Sequence, residues 1–124
     1  MKSGIVLGSN ELSKLLFAGM EAVTRTSLGD QVSVFLTMDA VRAFTKVPET
    51  GDSTAASGAA KKEGRTYRDM FQMAKKTGRA KLYACSYASD LFSLGREDYG
   101  DLVDDILGMT SFFAEVDGQI SSVW

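Results

Sequence analysis

The 124-residue chain has no histidine, one cysteine, one proline and one tryptophan. Without histidine there can be no Ser-His or Cys-His nucleophile pair and no imidazole metal site. A single cysteine, Cys85, excludes an intrachain disulfide, a CxxC redox pair and a cysteine zinc cluster. No metal is therefore expected, and any thiol chemistry must be completed by a second molecule or subunit. With no disulfide to form, no oxidising compartment is implied. No stretch approaches the roughly 20 apolar residues of a membrane span, and the apolar run near Met1 is too short for a signal peptide. The expectation is a cytoplasmic protein without membrane contact. The phosphate loops GxGxxG and GxxxxGK[ST] are also missing, so a nucleotide or flavin would lack its usual cradle, and no cofactor is expected.

The length and the 44% hydrophobic content fit one domain, residues 1–124, large enough for a core without staples. Net charge is −2, but unevenly spread. Residues 61–81 hold eight of the fourteen basic residues: Lys61, Lys62, Arg65, Arg68, Lys75, Lys76, Arg79 and Lys81. Residues 82–124 hold Arg96 against eight acids. A charge run of this kind is ordinarily a solvated helix face; its functional reading is a surface for an anionic substrate or acidic partner. Nucleic acid is not expected, because the overall pI is acidic and no aromatics are interleaved for base stacking.

Hydrophobic periodicity sets out the elements. Residues 4–7 read as a strand, with Gly8, Ser9 and Asn10 as turn and helix cap. Leu12, Leu15, Leu16, Gly19, Met20 and Val23 recur at helical spacing up to about Ser27. Leu28-Gly29-Asp30 is a turn, and residues 31–37 form the most strand-like segment, rich in β-branched and aromatic residues. Residues 38–44 read as a short helix. From about 47 to 64 the texture is Gly, Ser, Thr, Ala, Lys and Glu around Pro48, which reads as a long flexible loop. Thr66-Tyr67-Arg68-Asp69 resembles a capping box for a helix that turns Met70, Phe71 and Ala74 inward and stops near Gly78. A strand over 81–84 ends at Cys85, a helix begins at Ser86, and a charged turn follows at 95–98. Leu102, Val103, Ile106 and Leu107 lead into a helix over about 108–116, and residues 119–124 form the last strand. Alternating strands and helices predict a three-layer α/β fold with a mostly parallel sheet.

Cys85 sits at a strand-to-helix junction. There the unpaired N–H groups and positive dipole end of a helix favour thiolate over thiol, and thiolate is the form that attacks sulfur. Ligands of open α/β sheets bind outside the carboxyl ends of the strands, where Cys85 would lie. The plainer alternative is a packed cysteine acting as a small hydrophobe.

The pattern Ala84-Cys85-x-x-x-x-Asp90-Leu91 after a short strand resembles the DsrE/DsrF-like family of sulfur-relay proteins. Residues 32–39 with Ala40-Val41 are similar to that family's second strand and following helix. Leu102-Val103-Asp104-Asp105 with residues 108–113 resembles its last helix and approach. The resemblance spans most of the chain outside the 48–64 loop. It implies a flavodoxin-like α/β fold of about five strands with helices on both faces. It also implies oligomers, and for many members a cysteine carrying sulfur as persulfide or thiosulfonate. Cys85 occupies that cysteine's position. Where relatives often have Gly-Met-Ser-Met after it, this chain has Ser86-Tyr87-Ala88-Ser89.

The expected function is thus a sulfur carrier or sulfurtransferase in which Cys85 takes sulfane sulfur and passes it to an acceptor protein thiol. The N–H groups of Ser86 and Tyr87 are expected to stabilise thiolate or bound sulfonate. Ser9, Asn10, Thr37 and Met38, at the ends of the first two strands, are expected to open on the same sheet edge and offer donors, although helix capping competes for such side chains. The clustered Ile106, Leu107, Met109, Phe112 and Phe113 suggest a homo-oligomer, dimer or trimer, or a hetero-oligomer with a related subunit. The alternative is a non-catalytic binding or interaction subunit in which Cys85 only packs. A peroxidase is disfavoured, since no resolving cysteine exists in the chain.

Overall fold

Five short segments join one sheet and all run in the same direction. They are β1 (Lys2–Leu7), β2 (Gln31–Leu36), β3 (Ala80–Cys85), β4 (Asp105–Leu107) and β5 (Ile120–Val123), in spatial order β4-β3-β2-β1-β5 with every pairing parallel. A computed structural model describes residues 1–124. Five helices accompany the strands: α1 (Leu12–Ser27), α2 (Ala55–Glu63), α3 (Tyr67–Lys76), α4 (Ser86–Leu91) and α5 (Met109–Glu115). Residues 38–44 form a 3-10 helix. No helix is long and apolar enough to cross a membrane.

The strand order dictates where the helices lie. From β1 to β4 every crossover steps the same way, and right-handed crossovers then lie on one face. The step from β4 back across the sheet to β5 reverses direction and carries α5 to the other face. The side chains of β1 record both neighbours. Ser3 Oγ donates to Asp30 at 2.8 Å and accepts from Arg25 of α1 at 3.3 Å. Gly4, pointing the opposite way, lies under α5: a Cβ there would stand 3.1 Å from Phe112 and from Val116. Parallel strands buried on two faces need continuous apolar runs. β1 and β2 accordingly bury nearly everything after their first residue.

Two contacts hold the layers. Phe112 of α5 is fully buried and stacks on Phe35 of β2 with ring centroids 4.8 Å apart. On the other face α1 and α3 approach closely at Gly19, where a Cβ would come within 2.9 Å of the Met70 Cβ. Thr66 caps α3 by accepting from the Asp69 N–H at 3.1 Å, and the chain leaves the helix through Gly78 at φ +77°, a left-handed conformation that favours glycine.

The structure departs from the sequence reading in two places. The 47–64 segment is not all loop: α2 occupies 55–63, capped by the Thr54 side chain and ended by Gly64 at φ +73°. The segment is also pinned. Glu11 accepts hydrogen bonds from Ser53 Oγ, the Thr54 N–H and Ser57 Oγ, and Gly51 exchanges backbone bonds with Asn10 and Leu12. Second, Ile106 and Leu107 belong to a strand, β4, rather than to the approach of the last helix. The five apolar residues grouped there are split: Phe112 is buried, Ile106 and Leu107 are half-buried, and Met109 and Phe113 are exposed.

Candidate functional site at the carboxyl edge of the sheet

The registers align Leu7 with Leu36, Leu36 with Ala84 and Ala84 with Ile106. One residue further along, Cys85 pairs with Leu107. The Thr37 N–H continues the ladder by donating to Leu7 O at 2.9 Å, so Thr37 occupies the position beside Cys85. Neighbouring strands lie about 4.8 Å apart, which brings the ends of β2 and β3 within side-chain reach. On the far side, Gly8 donates to Val123 O, and Trp124 lies so close over Gly8 that a Cβ there would be 2.2 Å from its ring.

Cys85 closes β3 and is the N-cap of α4, with extended backbone at φ −65° and ψ 128°. Its Sγ accepts from the Ala88 N–H at 3.5 Å, so the amide that reaches the sulfur is the third of the helix rather than Ser86 or Tyr87. The residue is 2% exposed. Behind it a buried hydroxyl pair fixes the turn: Ser89 Oγ lies 2.7 Å from Cys85 O, to which it donates, and 2.6 Å from Tyr99 OH. Burial pushes the Tyr99 hydroxyl above the usual phenol range, which keeps it protonated for this bond. Ser89 and Tyr99 were not singled out from sequence. Ten residues separate them, and no spacing rule marks a buried hydroxyl pair.

The other residues expected at this edge fall into two groups. Thr37 is 2% exposed, and its Oγ1 is buried without a hydrogen-bond partner. Met38 follows in the left-handed region at φ 49°, an uncommon conformation for a residue with a side chain. Thr37 stands beside Cys85, and Met38 is the next residue along the chain. Ser9 and Asn10 are committed to architecture: Ser9 Oγ accepts from the Glu11 N–H at 3.0 Å, and Asn10 Nδ2 donates to Glu49 O at 3.1 Å. Ser86 is half-buried near Gly108, and the Tyr87 side chain is 63% exposed.

The DsrE/DsrF-like family model matches residues 1–116. The chain belongs to the DsrE/DsrF-like family. A search of curated proteins finds no match. Among solved structures the chain is similar to the ychN protein from E. coli, with a TM-score of 0.69 at 15% identity, covering 98% of this chain and 99% of that one. It is also similar to MTH1491 from Methanobacterium thermoautotrophicum, a protein of unknown function, with a TM-score of 0.57 at 11% identity, covering 91% and 87%. At these identities the likeness establishes the fold. The flavodoxin-like α/β architecture read from the sequence is the architecture observed, and membership in the DsrE/DsrF-like family points to a function of the sulfur-relay type.

Within this DsrE/DsrF-like chain a cleft of about 340 Å³ opens beyond α4, lined by Arg42, Lys46, Glu49, Phe92, Glu97 and Asp98 among others. Arg42 stands over the Phe92 ring, 5.4 Å from its centroid, and pairs with Glu49 at 2.5 Å. The cleft therefore adjoins the helix that Cys85 starts.

Proposed function

We propose that this protein carries sulfane sulfur on Cys85. The observation that carries the reading is the position of the thiol, at the carboxyl end of a parallel strand, capping a helix whose amide already points at the sulfur. The Cys85 thiolate attacks the sulfane sulfur of a donor. From thiosulfate this gives Cys85 persulfide and releases sulfite; from tetrathionate it gives a thiosulfonate and releases thiosulfate. An acceptor protein thiolate then attacks the sulfane sulfur bonded to Cys85 Sγ, and Cys85 leaves as thiolate, so the acceptor gains a persulfide from the first adduct and a thiosulfonate from the second. The unpartnered Thr37 hydroxyl supplies a donor to the added sulfur. The sulfur is covered at rest, so reaction requires α4 to shift. That helix has six residues, of which Ala88 and Ser89 are buried, so it is weakly held. The chemistry belongs to a reducing, cytoplasmic setting where donor and acceptor thiols coexist.

The active form in this reading is an oligomer. All-parallel sheets have both faces covered. Here one face carries α1 and α3, while the other carries α5, seven residues long, with Met109, Phe113 and Ile120 each more than 40% exposed and Trp124 57% exposed. A homo-oligomer, dimer or trimer, or a hetero-oligomer with a related subunit covers this surface.

The burial of Cys85 favours a second reading, an interaction subunit in which the thiol only packs. Alkylation of native protein separates the two. A carrier is labelled at Cys85 in native buffer below the free-thiol pKa of about 8.5, faster than global unfolding allows. Labelling confined to denatured protein leaves the packing reading.

A further inference from the structure

Four of the eight basic residues of segment 61–81 lie beside carboxylates in the fold. Lys61 pairs with Asp52 at 3.0 Å, Arg65 with Glu63 at 3.0 Å and Lys75 with Asp104 at 2.5 Å, and Arg68 lies 4.0 Å from Asp101. Lys62, Lys76, Arg79 and Lys81 have no such partner, and of these Arg79 and Lys81 come together. With Lys2 they line one cleft of about 340 Å³ at the amino edge of the sheet, together with Gln31, Ser33 and Glu115. The register explains the convergence: Lys2 pairs with Gln31 and Ser33 with Lys81, so these side chains stand in adjacent rows. Arg79 commits one N–H to Thr26 O at 3.4 Å, and the Lys2 backbone N–H donates to Asp117 at 3.1 Å.

Glu115 is the one carboxylate lining this cleft. Its Oε1 accepts from Tyr83 OH at 3.2 Å, and its Oε2 is buried without a partner. Burial, and next the charge of Glu115, push the Tyr83 hydroxyl up to about 12, so Tyr83 remains a donor and holds the carboxylate in place. A desolvated carboxylate oxygen with no donor is costly, and a half-buried Glu can turn that oxygen toward the cleft to receive one. Three cations against one carboxylate leave two positive charges in excess. A ligand that meets this cleft is a dianion that still carries one proton to donate.

We propose that the cleft is a binding site for hydrogen phosphate, with Lys2, Arg79 and Lys81 on the anionic oxygens and Glu115 accepting the P–OH proton. Sulfate has the same shape and charge but no proton, so Glu115 repels it. A phosphate monoester is likewise an unprotonated dianion above its second pKa of about 6. The site lies four residues before Cys85 on β3, about 13 Å away, and is independent of the sulfur chemistry.

The test is titration of wild-type protein at pH 8 and fixed ionic strength with sodium phosphate, sodium sulfate and methyl phosphate, following the amide signals of Ser33, Gly78 and Lys81 by NMR. Phosphate should bind at least about tenfold more tightly than either other anion, the worth of one charge-assisted hydrogen bond. In Glu115→Gln, whose amide can donate, sulfate should bind within about twofold of phosphate. Lys2→Ala, at an exposed strand end, should weaken phosphate, and Cys85→Ser should leave it unchanged. Equal binding of all three anions to wild type reduces the cleft to a cationic patch and overturns the proposal, as does no binding at all. Methyl phosphate probes the same proton without any substitution, so the test stands even if Glu115→Gln fails to fold.

Discussion

Replacing Phe112 with alanine should remove most of what holds α5 on the sheet. Phe112 is fully buried, stacks on Phe35 at 4.8 Å and meets Phe113 edge-on at 5.4 Å, while Gly4 beneath it leaves room for its ring. Burying a side chain of this size contributes about 1.5–3 kcal/mol by transfer alone. The cavity left behind raises the cost of a Phe→Ala change to about 3–5 kcal/mol. For a chain of this length that lowers Tm by roughly 10–20 °C. The neighbouring Phe113 is 44% exposed, so Phe113→Ala should cost under about 1 kcal/mol in folding. Urea unfolding of both variants, with light scattering of the native proteins, separates fold from assembly. Phe112→Ala should lose stability, and Phe113→Ala should lose self-association with stability nearly intact. A Phe112→Ala loss below about 1.5 kcal/mol would refute the view that this ring anchors the only helix on that face.

Two further perturbations probe the segment pinned to the start of α1 and the position beside Cys85. The Glu11 carboxyl is held down to about 2, from an ordinary 4.5, chiefly by the Ser57 hydroxyl and also by Ser53 and Thr54. A depressed folded-state pKa stabilises above the unfolded value and loses that contribution as pH falls toward 2. The protection factors of residues 51–57, taken against the intrinsic exchange rate at each pH, should therefore fall between about pH 4.5 and 2, and should be low across that range in Glu11→Gln; unchanged protection in the variant would count against the pinning. Thr37→Val removes a buried hydroxyl that has no partner, so stability should hold or rise by up to about 1 kcal/mol while sulfur loading at Cys85 falls. Normal loading of Thr37→Val would remove Thr37 from the site.

Much of this architecture could be read from pattern, and the parts that could not share a physical cause. β1, α1, β2, α3 and β3 bury long stretches of their own apolar residues, and periodicity reports that directly. α2 buries Ser57 rather than an apolar stripe, and its place is set by Glu11, more than forty residues earlier. Its Ala, Gly and Lys composition reads as loop because the interaction that holds it is polar and distant. β4 is three residues long and begins at Asp105, so only its pairing with β3 makes it a strand. At the site, Cys85, Thr37 and Met38 were legible because strand ends in a parallel sheet converge. Ser9 and Asn10 share that edge, but backbone groups take their side chains, the nearby Glu11 N–H for Ser9 and the distant Glu49 carbonyl for Asn10. Ser89 and Tyr99 left no trace in the sequence, since a hydroxyl pair buried behind a turn has no period.

The most direct measurement is the intact mass of wild-type protein and Cys85→Ser after incubation with thiosulfate, tetrathionate or polysulfide. Wild type should gain one sulfur atom as persulfide, or a larger thiosulfonate adduct, and dithiothreitol should remove either by thiolate attack. Cys85→Ser, nearly isosteric and equally folded, should gain nothing. Equal adducts on both proteins, or none on wild type with every donor, would contradict sulfur transfer at Cys85.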